Sequence, residues 1–377
     1  MARKLGSLAE HFSTLEDPRL DRRRRHDLLE VIVIAICGFI CNCETWVDVE
    51  RFGNAKFAWL KTFLKVPNGI PSHDTFGRLF QLLNPQQFAD CFRNWMIEVC
   101  AELGLKQVAI DGKTLRGSHD SKAGKGPLHL VSAWATENGL SLGQVAVDAK
   151  SNEITAIPKL LEMLEIKGCL VTIDAMGCQK DIAAKIREQE AHYMLAVKGN
   201  QERLYQDLDK FFREAMENDF AGIEHSYHDC TEKSHGRTEI RSCYAFNDVS
   251  MIRDVKLWKD VKSVVVVFTH RTIKDKASCE MRYYICSRAL TAKAAAASAR
   301  NHWTIENNLH WVLDVTFDED GSRVRKDHAP ENTALLRRIV MSIIRQVDSK
   351  ESLRGRRLIA GWDDAFLEAM LLKFLGI

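Results

Sequence analysis

No apolar run in this sequence is long enough to cross a bilayer. The longest, VIVIAICGFIC from Val31 to Cys41, is closed by Glu30 and Asn42, whereas a spanning helix needs about 20 residues. It reads as a core helix. The opening MARKLGSLAEHF lacks an apolar stretch of signal-peptide length, so the expectation is a cytoplasmic protein with no membrane partner. An excess of one charge is also missing. The 53 Lys and Arg against 51 Asp and Glu leave a formal charge of +2, which excludes a polycation that holds nucleic acid by bulk charge but leaves local basic patches open. Cysteines are present, 11 of them, yet no two form a CxxC pair. Zinc ribbons and disulfide scaffolds are thereby disfavoured, and buried reduced thiols are expected. Internal repeats are absent, and low complexity is confined to KAAAASA. What is there is a 377-residue chain, 46% apolar and 28% charged, the composition of a soluble globular protein of two or three domains at about 150 residues each.

Up to about residue 100 the pattern is helical, with a break at VPNGIPSHD. Beyond it Phe76, Leu79, Phe80 and Leu83 recur at helical spacing, and Ser72 or Asp74 can cap their helix. From Gln107 the period changes. VAID, LHLVSAWAT and LSLGQVAV read as three consecutive strands of an antiparallel meander, followed by a helix from about Asn152, the strand CLVTID, a helix from about Gln179 and the strand YMLAVK. After a helix from about Gln201 to Glu217, residues 222–288 turn strand-rich again, with RTEIRSCYAF, SVVVVFTH and MRYYICS as the clearest runs. A long helix is expected from Thr291 with Ile305, Leu309 and Val312 on its apolar side, then helices over about Glu331–Gln346 and Asp363–Phe374. The expected fold class is α/β: a mixed sheet with a β-rich insertion, a helical domain before it (residues 1–100) and helices after it, the second domain being residues 101–377.

Two aspartates close apolar strands, Asp111 in VAIDGKTLRGS and Asp174 in CLVTIDAMGCQ. Strand ends are where side chains converge in open α/β sheets, and paired carboxylates there make a hard oxygen site suited to Mg²⁺ or Mn²⁺. Each aspartate taken alone is better explained as a cap of its own turn. Glu306, in HWTIENNLHWVLDVTFDED between Trp303 and Trp311, adds a third carboxylate. Three such groups can hold two divalent ions that activate an attacking oxygen and stabilise a leaving one at a phosphodiester. His302, Glu306 and His310 at four-residue spacing suggest zinc instead, without the usual helical HExxH spacing. Lys113, Arg116, Lys198 and Asn200 are expected on the same rim, holding phosphate oxygens. Glu153 is a lesser candidate that caps the helix after it, and neighbouring Lys150 is harder to place.

AIDGKTLRGS, KSNEITAIPKLL, VTIDAMGCQKDIA, YMLAVKGNQ and HWTIENNLHWVLDVTFDED closely resemble the H-repeat-associated proteins of Rhs elements, which belong to the DDE transposases of bacterial insertion sequences. The likeness extends over nearly the whole chain, including DPRLDRRRRHDLLEVIVIAICG and GIPSHDTFGRLF. It implies an RNase H-like catalytic domain, a metal-binding triad at Asp111, Asp174 and Glu306, and a β insertion between the second aspartate and the glutamate. In related transposases a Tyr, an Arg and a Lys stand seven and four residues before the glutamate and seven after. Here those positions hold Ala299, His302 and Leu313. His302 can donate a hydrogen bond to a phosphate and Leu313 cannot, which leaves Lys198 or Arg323 to serve.

The expectation is therefore a Mg²⁺-dependent transposase, with Mn²⁺ as substitute, acting on double-stranded DNA as a dimer in the bacterial nucleoid. The alternatives are a metal-dependent endonuclease without joining, a DNA-binding relic, and a structural protein without DNA affinity. Phosphate neutralisation supplies most DNA affinity, and two basic patches offer it. One is Arg22, Arg23, Arg24 and Arg25 with Arg19 nearby; the other runs from Arg323 to Arg357, with Arg337, Arg338 and Arg345 forming the basic face of a helix. Ser72–Asn84 offers one helix of a helix-turn-helix.

Overall fold

The leading segment folds as six helices, three of which start behind a capping side chain, while Ser72, an expected cap, makes no capping hydrogen bond to the helix it precedes. In this computed structural model, which describes residues 8–120, 124–147, 151–234, 237–273 and 276–375, they are α1 (Leu8–Phe12), α2 (Leu28–Ile40), α3 (Trp46–Ala55), α4 (Phe57–Leu60), α5 (His73–Leu82) and α6 (Pro85–Leu103). Asp27 caps α2 by accepting from the Glu30 amide, and Thr45 and Asp48 form a capping box at α3. Pro85 opens α6 behind the Asn84 cap, and Gly104 at φ +73° follows its end. The apolar run in α2 is buried from Glu30 to Ile40, a core helix as its length required. In α5, Phe76, Leu79 and Phe80 turn inward, which commits that face to packing.

The sheet has nine strands: β1 (Gln107–Leu115), β2 (Leu128–Ala135), β3 (Leu140–Ala146), β4 (Leu170–Ile173), β5 (His192–Val197), β6 (Ser226–Ser234), β7 (Arg237–Phe246), β8 (Ser263–Ile273) and β9 (Lys276–Cys286). Their spatial order is β3-β2-β1-β4-β5-β9-β8-β7-β6. The first three pair antiparallel, as the meander reading expected, and β1, β4 and β5 run parallel. The four strands of the inserted segment are a continuation of the sheet, because β9 pairs antiparallel with β5. Strand β6 was missing from the sequence reading, since SYHDCTEKS has almost no apolar residues to mark it.

Helices α7 (Glu153–Glu162), α8 (Lys180–Glu188), α9 (Glu202–Glu217), α10 (Ala292–His302), α11 (Trp311–Phe317), α12 (Ala329–Arg345), α13 (Leu353–Trp362) and α14 (Asp364–Leu375) complete the chain. Two sequence expectations change here. The long helix through Glu306 is three pieces, with a π-helical turn, Ile305–His310, between α10 and α11. Helix α13 stands where none was expected. The basic face assigned to α12 is also corrected: Arg337 and Arg338 are buried, and the Arg345 guanidinium lies over the Trp134 ring. Arg357 on α13 is buried too, donating to the Phe39 carbonyl.

One apolar cluster runs from Phe12 and α2 through the sheet to Leu371, so the leading helices share a core with the sheet. A second fills the space between α10 and the inserted strands, with Leu170, Cys243, Val265 and Ala295. All 11 cysteines are free, and Cys279 is the exposed one. Among the described residues no helix is long and apolar enough to cross a membrane.

Candidate functional site

The register of β1 against its two neighbours creates the site. On one side β1 pairs with β4 only from Gln107 to Ile110, where Ile110 lies opposite Ile173; on the other it stays paired with β2 to Leu115. Asp111 is therefore mid-strand, which corrects the expectation that it closes one. It stands at the notch where the parallel partner stops, and Asp174 is the first residue past the end of β4. Alternation along β1 sends Asp111 and Lys113 to one face and Gly112 and Thr114 to the other.

On the Asp111 face, the π-turn brings up Glu306 and His310. His310 is buried, with Nδ1 at 3.1 Å from Glu306 Oε2 and 3.6 Å from Asp111 Oδ2. Glu306 is more than half exposed, its side chain retaining 56% of its accessibility. Single π turns recur at functional sites because they re-aim side chains that a regular helix would place elsewhere. On the opposite face Asn152, rather than Glu153 as expected, caps the start of α7 by accepting from the Ile154 amide, and Glu153 Oε1 is instead 2.7 Å from His129 Nε2, whose Nδ1 is 2.8 Å from Thr114 Oγ1. Both groups occupy space that only a glycine leaves: a Cβ on Gly112 would fall 2.1 Å from Glu153 Oε1 and 2.7 Å from His129 Nε2.

Burial first, then the charge of Asp174, with smaller contributions from Glu153 and Glu306, pushes the Asp111 carboxyl up to about 7. Glu306 moves the other way, because its hydrogen bond with His310 outweighs burial. Asp174 Oδ1 accepts from the Met176 and Gly177 amides at 3.0 and 3.4 Å. It serves as the cap of its own turn, and its charge reaches Asp111 across the notch, but it is not among the three residues whose ligand atoms converge.

A cation fits this donor set. Asp111, Glu306 and His310 each offer one ligand atom, all within 4.8 Å of one another, and they are the group of this kind found among the described residues. The crowding of carboxylates that raises Asp111 is what a divalent ion relieves. His310 was noticed in the sequence only as part of a zinc spacing, and its role beside Asp111 became visible through the π-turn. Its Nε2 is buried without a hydrogen-bond partner among the described residues, and its Nδ1, facing the acceptor-only Glu306 carboxylate, is the donor of that pair.

The residues expected to grip phosphate fare unequally. Lys113 is corrected: its ammonium is buried and held by Asp314 at 2.6 Å, Glu319 at 3.0 Å and Asp320 at 3.4 Å. A buried ammonium with three carboxylates is not available to DNA. His302 is likewise not a cationic grip, since burial lowers its imidazole to about 4, and its Nδ1 lies 3.1 Å from Thr172 Oγ1. Arg116 is open, with 85% of its side-chain accessibility retained. Lys198 and Arg323 are exposed. Asn200 donates to the Ala175 carbonyl at 2.6 Å, tying the loop after β5 to the one after Asp174. Arg22 and Arg25 are exposed; Arg24 is exposed but bonded to the Asp17 and Arg19 carbonyls. The Arg23 side chain and Lys150 lie outside the described residues.

Comparison with known proteins identifies the family. Residues 9–96 match the DDE_Tnp_1-associated family, and residues 102–343 match the transposase DDE domain, a family that generally works with a divalent metal. The H repeat-associated protein YhhI of Escherichia coli (strain K12), which carries a transposase name, is 40% identical, with 98% of each chain covered. YbfL of the same strain is also 40% identical over 98% of each chain. YncI of Escherichia coli O157:H7, again named as a transposase, is 39% identical over 97% of this chain and 94% of its own. A piggyBac transposase synaptic complex with hairpin DNA overlaps at TM-score 0.40 and 11% identity, covering 97% of this chain and 76% of that one. With its DDE domain matched over residues 102–343 and full-length relatives among the H repeat-associated proteins, the chain belongs to the DDE transposase family.

Proposed function

We propose that the chain cleaves DNA at the ends of its own element and joins the freed 3′ ends to target DNA, using Mg²⁺ or Mn²⁺. The five strands β3-β2-β1-β4-β5 read as an RNase H-like core, with Asp111, Asp174 and Glu306 as its catalytic carboxylates. The observation that supports this reading is that the ligand atoms of Asp111, Glu306 and His310 lie within 4.8 Å of one another, at a notch where burial first and then the charge of Asp174 push Asp111 up to about 7.

Asp111, Asp174 and Glu306 would hold the divalent cations, with His310 beside them. A divalent cation supplies Lewis-acid polarisation of a phosphoryl oxygen and eases deprotonation of the attacking hydroxyl. The protein's share is to position and to balance charge. Asp111 must be ionised, and its raised pKa means that it gives up a proton when the ion enters. In cleavage, water oxygen bonds to phosphorus as the bond from phosphorus to the 3′ oxygen breaks, and that oxygen leaves with a proton as a 3′-hydroxyl. In joining, the oxygen of this 3′-hydroxyl bonds to the phosphorus of a target phosphodiester as the bond from that phosphorus to the target's own 3′ oxygen breaks, and the departing oxygen takes up the proton that the attacking hydroxyl gives up. Arg116, Lys198 and Arg323 grip phosphates on the rim, Asn200 steadies that rim, and Arg22, Arg24 and Arg25 add a second DNA contact. Joining two ends calls for two copies of the chain on the DNA.

Purified protein incubated with the DNA that flanks its own reading frame is the test. Nicked and joined products that require Mg²⁺ or Mn²⁺ and vanish in Asp111→Asn and Glu306→Gln are expected. Nicks without joining would make it an endonuclease, and DNA binding with no product a relic.

A further inference from the structure

Glu306 stands on a π-helical turn that runs directly into α11. The π-turn separates α10 from α11, so a continuous helical rod does not fix the distance from Glu306 to β1. Something else must. Two residues along β1 from Asp111, on the same face, Lys113 reaches α11 at Asp314, which lies eight residues after Glu306. The same ammonium reaches Glu319 and Asp320 in the turn after α11. Glu319 is fully buried and bonded in turn to Arg338 of α12 at 2.9 Å, and both side chains are 0% exposed. One cation thus joins the strand of Asp111 to the helix of Glu306, and a second anchors the junction to α12.

We propose that Lys113 is a positioning residue, the clasp that sets the Glu306 helix against the Asp111 strand and so fixes the spacing of the cation-binding carboxylates. This rests on the transposase reading of the site. A buried ion pair stabilises little by itself, because desolvation offsets the attraction, and its best-attested use is to specify one arrangement among several. Groups that orient ligands without touching the metal typically change metal affinity or activity by about 10- to 100-fold when removed.

The full chain with Lys113→Met or Asp314→Asn tests the clasp, with Mn²⁺ binding followed by the loss of the free-ion electron paramagnetic resonance signal. Asp314 is partly exposed and Asn keeps its shape, so Asp314→Asn stays folded even if Lys113→Met does not. Both variants should bind Mn²⁺ about 10- to 100-fold more weakly and lose turnover while their affinity for DNA is unchanged. The double variant should be no worse than the poorer single one. A folded Asp314→Asn protein with wild-type Mn²⁺ affinity and turnover would overturn the proposal, even if its melting temperature fell. Wild-type protein that binds Mn²⁺ yet yields no DNA product overturns the transposase reading instead, and the Mn²⁺ titration still decides the clasp.

Discussion

Asp111 must carry a negative charge where burial and three other carboxylates oppose it, and that conflict has a measurable sign. Its carboxyl is raised from 3.8 to about 7. Between those values the folded protein keeps a proton that the unfolded chain has released, so this group's contribution to stability is present at low pH and is lost as pH rises towards about 7. Cation binding must expel the same proton. Mn²⁺ affinity is therefore expected to climb by about one decade per pH unit below the midpoint and to level off above it, and calorimetric titrations on both sides of pH 7 will show this. Glu153 is one of the charges that raise Asp111. Glu153→Gln removes the charge and keeps the shape, so the midpoint of that pH dependence should move down; an unmoved midpoint would mean that Glu153 does not act on Asp111.

At the scale of elements, the junction of β1, α11 and α12 holds a buried ionic network that the surface patches lack. Glu319, which burial alone would raise, is held down at about 2 by Arg338 and Lys113. Arg338→Met removes the guanidinium bonded to that buried carboxylate and is expected to cost about 3–5 kcal/mol in denaturant unfolding. Arg24→Ala, at an exposed cluster with Asp17 and Asp21, should change stability by no more than about 1 kcal/mol. These arginines also show where sequence reading stops. The apolar periods of α2, α5 and α7 and the β-branched runs of β4 and β8 announced their elements, and the change of period at Gln107 announced the sheet. Arg337 and Arg338 look in sequence like surface charges, because nothing local tells that Glu319 and the Phe39 ring will meet them. The π-turn was equally hidden, being a one-residue change in hydrogen bonding that leaves the apolar pattern of Ile305, Leu309 and Val312 intact. Asp111, Asp174 and Glu306 stood out as candidates because each carboxylate sits in a recognisable motif of the sequence; the mid-strand place of Asp111, the approach of His310 and the engagement of Lys113 depend on contacts between residues far apart in the chain.

For the whole molecule, a net charge of +2 makes the placement of the bases matter more than their number. Several of the 53 Lys and Arg are withdrawn from the surface: Lys113, Arg337, Arg338 and Arg357 are all buried. Under the proposed function, DNA affinity then rests on exposed groups, and Arg116, Lys198, Arg323, Arg22 and Arg25 are exposed. Each phosphate that such a group neutralises contributes about 0.9 to the slope of log affinity against log salt concentration on duplex DNA. Replacing Arg116, Lys198 or Arg323 by Ala should lower that slope by nearly one apiece, with similar losses on any sequence, because phosphate contacts position DNA without reading it. Fluorescence anisotropy of labelled duplexes over a salt series measures this directly. Arg345, set against Trp134 and bonded to the Asn308 carbonyl, is the control within the same basic stretch: Arg345→Met should leave the slope where it was. If Arg345→Met flattens the slope while the rim variants do not, the DNA lies along the C-terminal helices, and the notch carboxylates are not where the phosphodiester is cut.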